Sequence, residues 1–169
     1  MKAARAVLAA ALALALQTTL ARVLIRGTDV VDFVLVVVVY AALTDGPISG
    51  LLTGTFAGLV QDTLSTGVVG IGGLAKTTVG FLAGVVGTQF IVAQPVPRFV
   101  VFLVATIVHA VVFYGLYILL DLRQFKPAYA AVAGQALGNA VVGVVAFQLV
   151  ELLPGAVERR RAARTRIRR

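Results

Sequence analysis

Five residues at one spacing constrain this chain more than any other feature: Gly46, Gly50, Gly54, Gly58 and Asp62. They fall at every fourth position around the otherwise apolar run ISGLLTGTFAGLVQD. On an α-helix, residues four apart stack on one face. The glycines therefore form a groove without side chains, in which a second helix backbone can lie close. In lipid this is the small-xxx-small packing signal. The row ends in a carboxylate, a group that is costly at membrane depth and is retained there for a partner or a function.

Composition extends the argument to the whole chain. Of 169 residues, 60% are hydrophobic and 13% charged, against about half and a quarter in a soluble domain. Spanning a bilayer takes ~20 apolar residues, fewer for a helix sheltered in a bundle. Six spans are read, at about residues 4–25, 29–44, 48–64, 71–93, 99–120 and 128–153. Turn chemistry separates them at Asp45-Gly46-Pro47, Ser65-Thr66-Gly67, Gln94-Pro95-Val96-Pro97, Lys126-Pro127 and Pro154-Gly155. Connections this short make sequential helices antiparallel neighbours. The expected fold is all-α and integral to the membrane: a compact six-helix bundle over 1–153, then a basic tail over 154–169. The second and third spans are the weakest, and a re-entrant third segment is the alternative. Lys2 and Arg5 ahead of an Ala/Leu run resemble a secretory signal. The apolar character resumes beyond Gln17-Thr18-Thr19, so a retained helix is expected.

The net charge is +8. It is concentrated in the tail, on Arg159, Arg160, Arg161, Arg164, Arg166, Arg168 and Arg169. A basic segment beside an apolar helix reads as a cytoplasmic anchor on anionic lipid headgroups. No recognition motif accompanies the arginines, so nucleic acid is not an expected partner. Placing both termini in the cytoplasm puts Lys2, Arg5, Arg98 and the tail inside, and Arg22, Arg26, Arg123 and Lys126 outside.

The four-residue spacing recurs at Gly72, Lys76, Gly80 and Gly84, and again at Ala130, Gly134 and Gly138, beside Gln135 and Asn139. Three such rows predict a compact core built from the third, fourth and sixth helices. Gly50, Gly54, Gly58, Asp62, Lys76, Gly80 and Gly84 are the candidate packing or partner-binding residues. Asp62 and Lys76 are expected near one membrane surface, joined by the short 63–73 loop. There they would form an ion pair locking the hairpin, with partner contact or an ion pathway as alternatives. His109, near Thr106, is expected as a neutral imidazole bonded to a neighbouring helix. Gln17, Gln89 and Gln135 are expected to bond between helices. Asp29 and Asp32 are placed at the outer end of the second helix beside Arg26, and Tyr114, Tyr117 and Tyr129 are candidate interfacial anchors.

Enzyme classes find little support. Cys is absent and His109 is the lone histidine, which excludes thiolate chemistry and multi-histidine metal motifs. GPISG around Ser49 is not G-x-S-x-G, Asp62 in LVQD lacks the context of an intramembrane aspartyl protease, and Gly72–Thr77 lacks Walker spacing. No catalytic residue, metal or cofactor is expected.

The stretch ISGLLTGTFAGLVQDTLSTGVVGIGGLAKTTVGFLAG resembles the central signature of MreD, the rod shape-determining membrane protein family of bacteria. That signature is a glycine-rich helix running into G-L-x-x-D, a short loop, G-x-x-(G/A)-L and a second glycine-rich helix. Gly58, Leu59 and Asp62 fill its first part, and Gly70, Gly73 and Leu74 its second. The specific match covers about residues 46–90, and the arginine tail departs from the family pattern. The resemblance implies a non-enzymatic scaffold of the cell-elongation complex in the bacterial inner membrane. It implies direct binding to MreC, and indirect association with MreB and the peptidoglycan synthase. It also implies a fold similar to the six-helix substrate-binding subunits of energy-coupling-factor transporters. A substrate-binding subunit for a vitamin or other small molecule is the alternative. The absence of Trp and the few polar residues expected near the 63–73 loop speak against it. A transporter of lipid or cell-wall precursors is a third reading.

Overall fold

A computed structural model describes residues 10–19, 31–65, 67–90, 92, 94–121 and 129–167, with side chains of the last helix described to residue 152. Those residues form helices: α1 over Ala10–Thr19, α2 over Phe33–Asp45, α3 over Pro47–Leu64, α4 over Ile71–Gln89, α5 over Pro95–Leu119 and α6 over Tyr129–Ile167. The α4 and α5 helices and the Tyr129–Leu152 part of α6 are long and apolar enough to cross a membrane. The helix starts from α2 to α5 have local causes. Proline occupies the first turn of α3 and α5, where its missing N–H costs nothing. The expected Gln94–Pro97 break therefore shrinks, and α5 begins at Pro95. Gly46, at φ +94°, turns the chain from α2 into α3, a conformation that favours glycine.

The core is centred on α2. That helix is apolar all round and buries Val34, Leu35, Val36, Val38, Val39, Ala41 and Ala42, as a helix without a polar face must. It packs against α3, α4, α5 and α6. Leu35, Val39, Val79, Phe102 and Phe147 meet in the main cluster, while Ala10 and Ala13 of α1 meet Val34 and Ala57 in a second. This corrects the expected core of third, fourth and sixth helices: α6 packs on α5 and α2, not on α3 or α4. In the Ala130, Gly134 and Gly138 row, a Cβ on Gly134 meets open space among the described residues, so no close seam forms at that position. Close approach on α6 falls instead at Gly143, against the ring of Phe102.

The rows on α3 and α4 do face each other, antiparallel. A Cβ on Gly50 would strike the Gly80 carbonyl and the Ala42 methyl. One on Gly54 would strike the Lys76 backbone, one on Gly58 the Gly73 Cα, and one on Gly84 the Pro47 backbone. Thr55 and Thr77 complete the seam with a 2.8 Å hydroxyl–hydroxyl bond. The groove is thus filled by the chain's own α4 and is closed to any other helix.

On the face where α5 starts, Arg98 lies buried over the Phe147 ring at 4.4 Å. It donates to the Val92 carbonyl at 3.2 Å and pairs with Glu151. The turn expected at Pro154-Gly155 is absent, since the α6 backbone continues to Ile167. The Ala-, Glu- and Arg-rich sequence beyond it is strongly helix-forming. The side chains of Arg159, Arg160, Arg161, Arg164 and Arg166 lie outside the described residues, as do Arg168, Arg169, Lys2, Arg5, Arg22, Arg26, Asp29, Arg123 and Lys126.

Candidate functional site

Two polar constellations occupy the half of the bundle away from Arg98. The first begins at Asp32, whose Oδ1 accepts from the Leu35 N–H at 2.9 Å and caps α2. Its Oδ2 lies 2.9 Å from Lys76 Nζ. Lys76 Nζ is also 3.3 Å from His109 Nε2. An ammonium has donors only, so Nε2 accepts and the ring proton resides on Nδ1. The Asp32 N–H donates to Asn139 Oδ1 at 2.8 Å, and Asn139 Nδ2 donates to Thr106 Oγ1 at 3.0 Å. Thr106 donates in turn to the Phe102 carbonyl at 2.9 Å. Asp32, Lys76, Thr106, His109 and Asn139 are all buried. One network therefore ties α2, α4, α5 and α6 together. At 1.5 Å per residue, Lys76 lies about 8 Å along α4 from Ile71, and His109 about 15 Å along α5 from Leu119.

The second constellation is built on Asp62. Its Oδ2 accepts from the Gly70 N–H at 2.8 Å and the Gly73 N–H at 3.0 Å. The carboxylate closing one helix thereby caps the next, at the positive end of the α4 dipole. Gly70 holds φ +106°, and a Cβ on Gly72 would strike Asp62 Oδ1. The spacing of Asp62, Gly70 and Gly73 is thus a capping device. Asp62→Ala is expected to lower stability by about 1–2 kcal/mol, with Asp62→Asn intermediate, as read from thermal melting of the purified protein.

These contacts correct the expected Asp62–Lys76 pair. Lys76 points to Asp32, which stands at the start of α2 as expected but is buried and paired across to α4, while Arg26 lies outside the described residues. The physical reason is that Asp62 is already satisfied by the amides of α4. Of the glutamines, Gln17 bonds between helices, accepting from the Phe33 N–H at 2.9 Å, whereas Gln89 is exposed at the end of α4. Tyr117 is buried, and its hydroxyl accepts from the Val68 N–H at 3.3 Å; Tyr129 is exposed.

Between the two constellations lies a cavity of about 510 Å³, lined by Asp32, Gln61, Asp62, Lys76, His109, Phe113, Tyr114, Tyr117 and Gln135, with Gly67 and Val68 at the loop and Ala131 and Gly134 on α6. A polar, aromatic-walled pocket thus exists beside the 63–73 loop, contrary to expectation. Its polar groups are spread over the start of α2 and over α3, α4, α5 and α6, so no single run of sequence announces it. Among the described residues, no cluster of His, Asp and Glu is arranged to hold a metal.

In comparison with known families, the chain matches the family described as rod shape-determining protein MreD, over residues 5–155. No curated protein and no solved structure matches the chain.

Proposed function

The chain belongs to the MreD family of rod shape-determining membrane proteins, and from that premise we propose that it is a non-enzymatic scaffold of the cell-elongation complex that binds MreC within the membrane. The observation that carries this reading is the family match over nearly the whole apolar part of the chain. A protein so placed acts through its helix faces, loops and tail. Since α4 fills the glycine groove, the contact with MreC is assigned to an outward apolar face. Such faces carry exposed Leu52 and Phe56 on α3, Leu82 on α4, Val111 on α5 and Leu149 on α6. MreB and the peptidoglycan synthase are reached indirectly.

The test uses the absence of cysteine. Single cysteines at positions 52, 82, 111 and 149 are paired with cysteines along the MreC transmembrane helix. MreC is expected to co-purify with this chain and to cross-link at one or two neighbouring positions. No co-purification, with the protein folded, overturns the proposal.

The same reading places the chain in the inner membrane as six spans, with both termini cytoplasmic, the tail on anionic lipid, and a fold like the energy-coupling-factor substrate-binding subunits. Alternation of the helix ends supports the topology. Gln17 near the end of α1 meets the start of α2, Gly87 near the end of α4 approaches Leu43 of α2, and Arg98 at the start of α5 meets Glu151 late in α6. In intact cells with a permeabilised outer envelope, a membrane-impermeant maleimide is expected to label Gly67→Cys and to spare Ala163→Cys. The opposite pattern inverts the topology.

A further inference from the structure

We propose that the cavity beside the 63–73 loop binds a small uncharged ring molecule carrying both hydrogen-bond donors and an acceptor, entering from the face opposite the basic tail. This goes beyond the scaffold reading and does not depend on it.

Size comes first. At about 510 Å³, the cavity falls in the range of small-molecule sites, roughly 300–1,000 Å³. Its wall is suited to a flat ring. Phe113 lies stacked 5.8 Å from His109, tilted 5.0 Å from Tyr117 and edge-on 5.8 Å from Tyr114. Aromatic faces and edges in this arrangement receive a further ring readily.

Hydrogen bonding sets the polarity. Gln61 lines the cavity, and its Oε1 is buried without a partner among the described residues. A buried acceptor left unpaired is unfavourable, and a turn of the Gln61 side chain into the cavity would let a ligand N–H or O–H satisfy it. An ammonium offers three donors, and Asp32 and His109 engage Lys76 through two. A ligand carbonyl would take the third.

Charge sets the class. Lys76 is matched by Asp32, and Asp62 by the two amides at the α4 start. Neither sign is left over among these groups. Among the described residues that line the cavity, a phosphate-bearing headgroup would find no unmatched cation to receive it, whereas an uncharged molecule disturbs neither pairing.

The full-length protein in neutral detergent supplies the test. The chain contains no Trp, so the fluorescence of 5-hydroxyindole, an uncharged ring with two donors, is read free of tryptophan emission. Thymine and nicotinamide, which add carbonyl acceptors, serve as competitors. Saturable binding by at least one of the three is expected. Its affinity should fall at least ~10-fold in Gln61→Leu, which removes no hydrogen bond of the fold, and in Gly134→Phe, which fills open space at the wall. The melting temperature of Gln61→Leu should be unchanged or raised. Lack of saturable binding by all three, or equal binding by both variants, overturns the proposal. So does a phospholipid adduct in native mass spectrometry that is retained by the parent and lost in Gly134→Phe, which would give the cavity to a headgroup. MreC co-purification is measured on the same variants, so failure here and failure of the scaffold reading are separable.

Discussion

Lys76→Met is expected to destabilise the bundle by ~3–5 kcal/mol, the cost of leaving a buried carboxylate without its counter-ion. The carboxylate is Asp32, and Lys76 Nζ is its salt-bridge partner at 2.9 Å. The loss should appear as a lowered melting temperature in detergent and reduced protein in the membrane. Asp32→Asn alone should cost less, because asparagine keeps the cap on Leu35. The informative variant is the double one. With both charges gone, the penalty for an isolated ion disappears, and most of the stability lost in Lys76→Met should return. Losses that merely add in the double variant would show that the two residues are uncoupled and that the network is not centred on this pair.

The second large effect concerns the α3–α4 seam. Gly50→Leu is expected to reduce stability by at least the ~1–3 kcal/mol typical of overpacking, and to abolish shape support in cells. The obstacle is backbone: a Cβ at Gly50 already meets the Gly80 carbonyl, which has no rotamer to move away. Gly80→Leu should behave alike, since a Cβ there meets the Gly50 carbonyl. Gly115 supplies the contrast. A Cβ at that position meets nothing, so Gly115→Ala should be neutral or stabilising by roughly 0.4–1 kcal/mol. If Gly50→Leu melts with the parent, the seam is not the close contact described.

Much of this architecture is legible in the sequence, for identifiable reasons. Local signals worked where cause and effect are close in the chain. Proline and glycine punctuation separates α2 from α3 and opens α5. Residues four apart pair the faces of α3 and α4, because a hairpin with a short loop has few registers. Of the residues of the resemblance, Gly58, Leu59, Asp62, Gly70 and Gly73 converge on a cap and a close helix crossing, while Leu74 faces outward. What failed was non-local. Asp32 and Lys76 sit on separate helices with all of α3 between them, and nothing in either neighbourhood names the other. The two charges nearest in sequence, Asp62 and Lys76, made the more obvious pair, and backbone amides had claimed one of them. α2 looked weak because it is short, yet its shortness and uniform apolarity are what put it at the centre. The cavity was invisible because Gly134, read as a packing residue, faces space.

The length of α2 also bears on how the protein is made. Thirteen residues reach about 20 Å, short of the ~30 Å hydrocarbon core. As α2 leaves the ribosome, its Asp32 has neither Lys76 nor Asn139 to meet it. Asn139 follows 107 residues later, which at ~5–20 residues per second is roughly 5–20 s of synthesis. Through that interval the helix cannot settle as an independent span. It must wait at the insertion machinery or the membrane surface until the second half of the chain arrives, so the bundle closes late, around its shortest member.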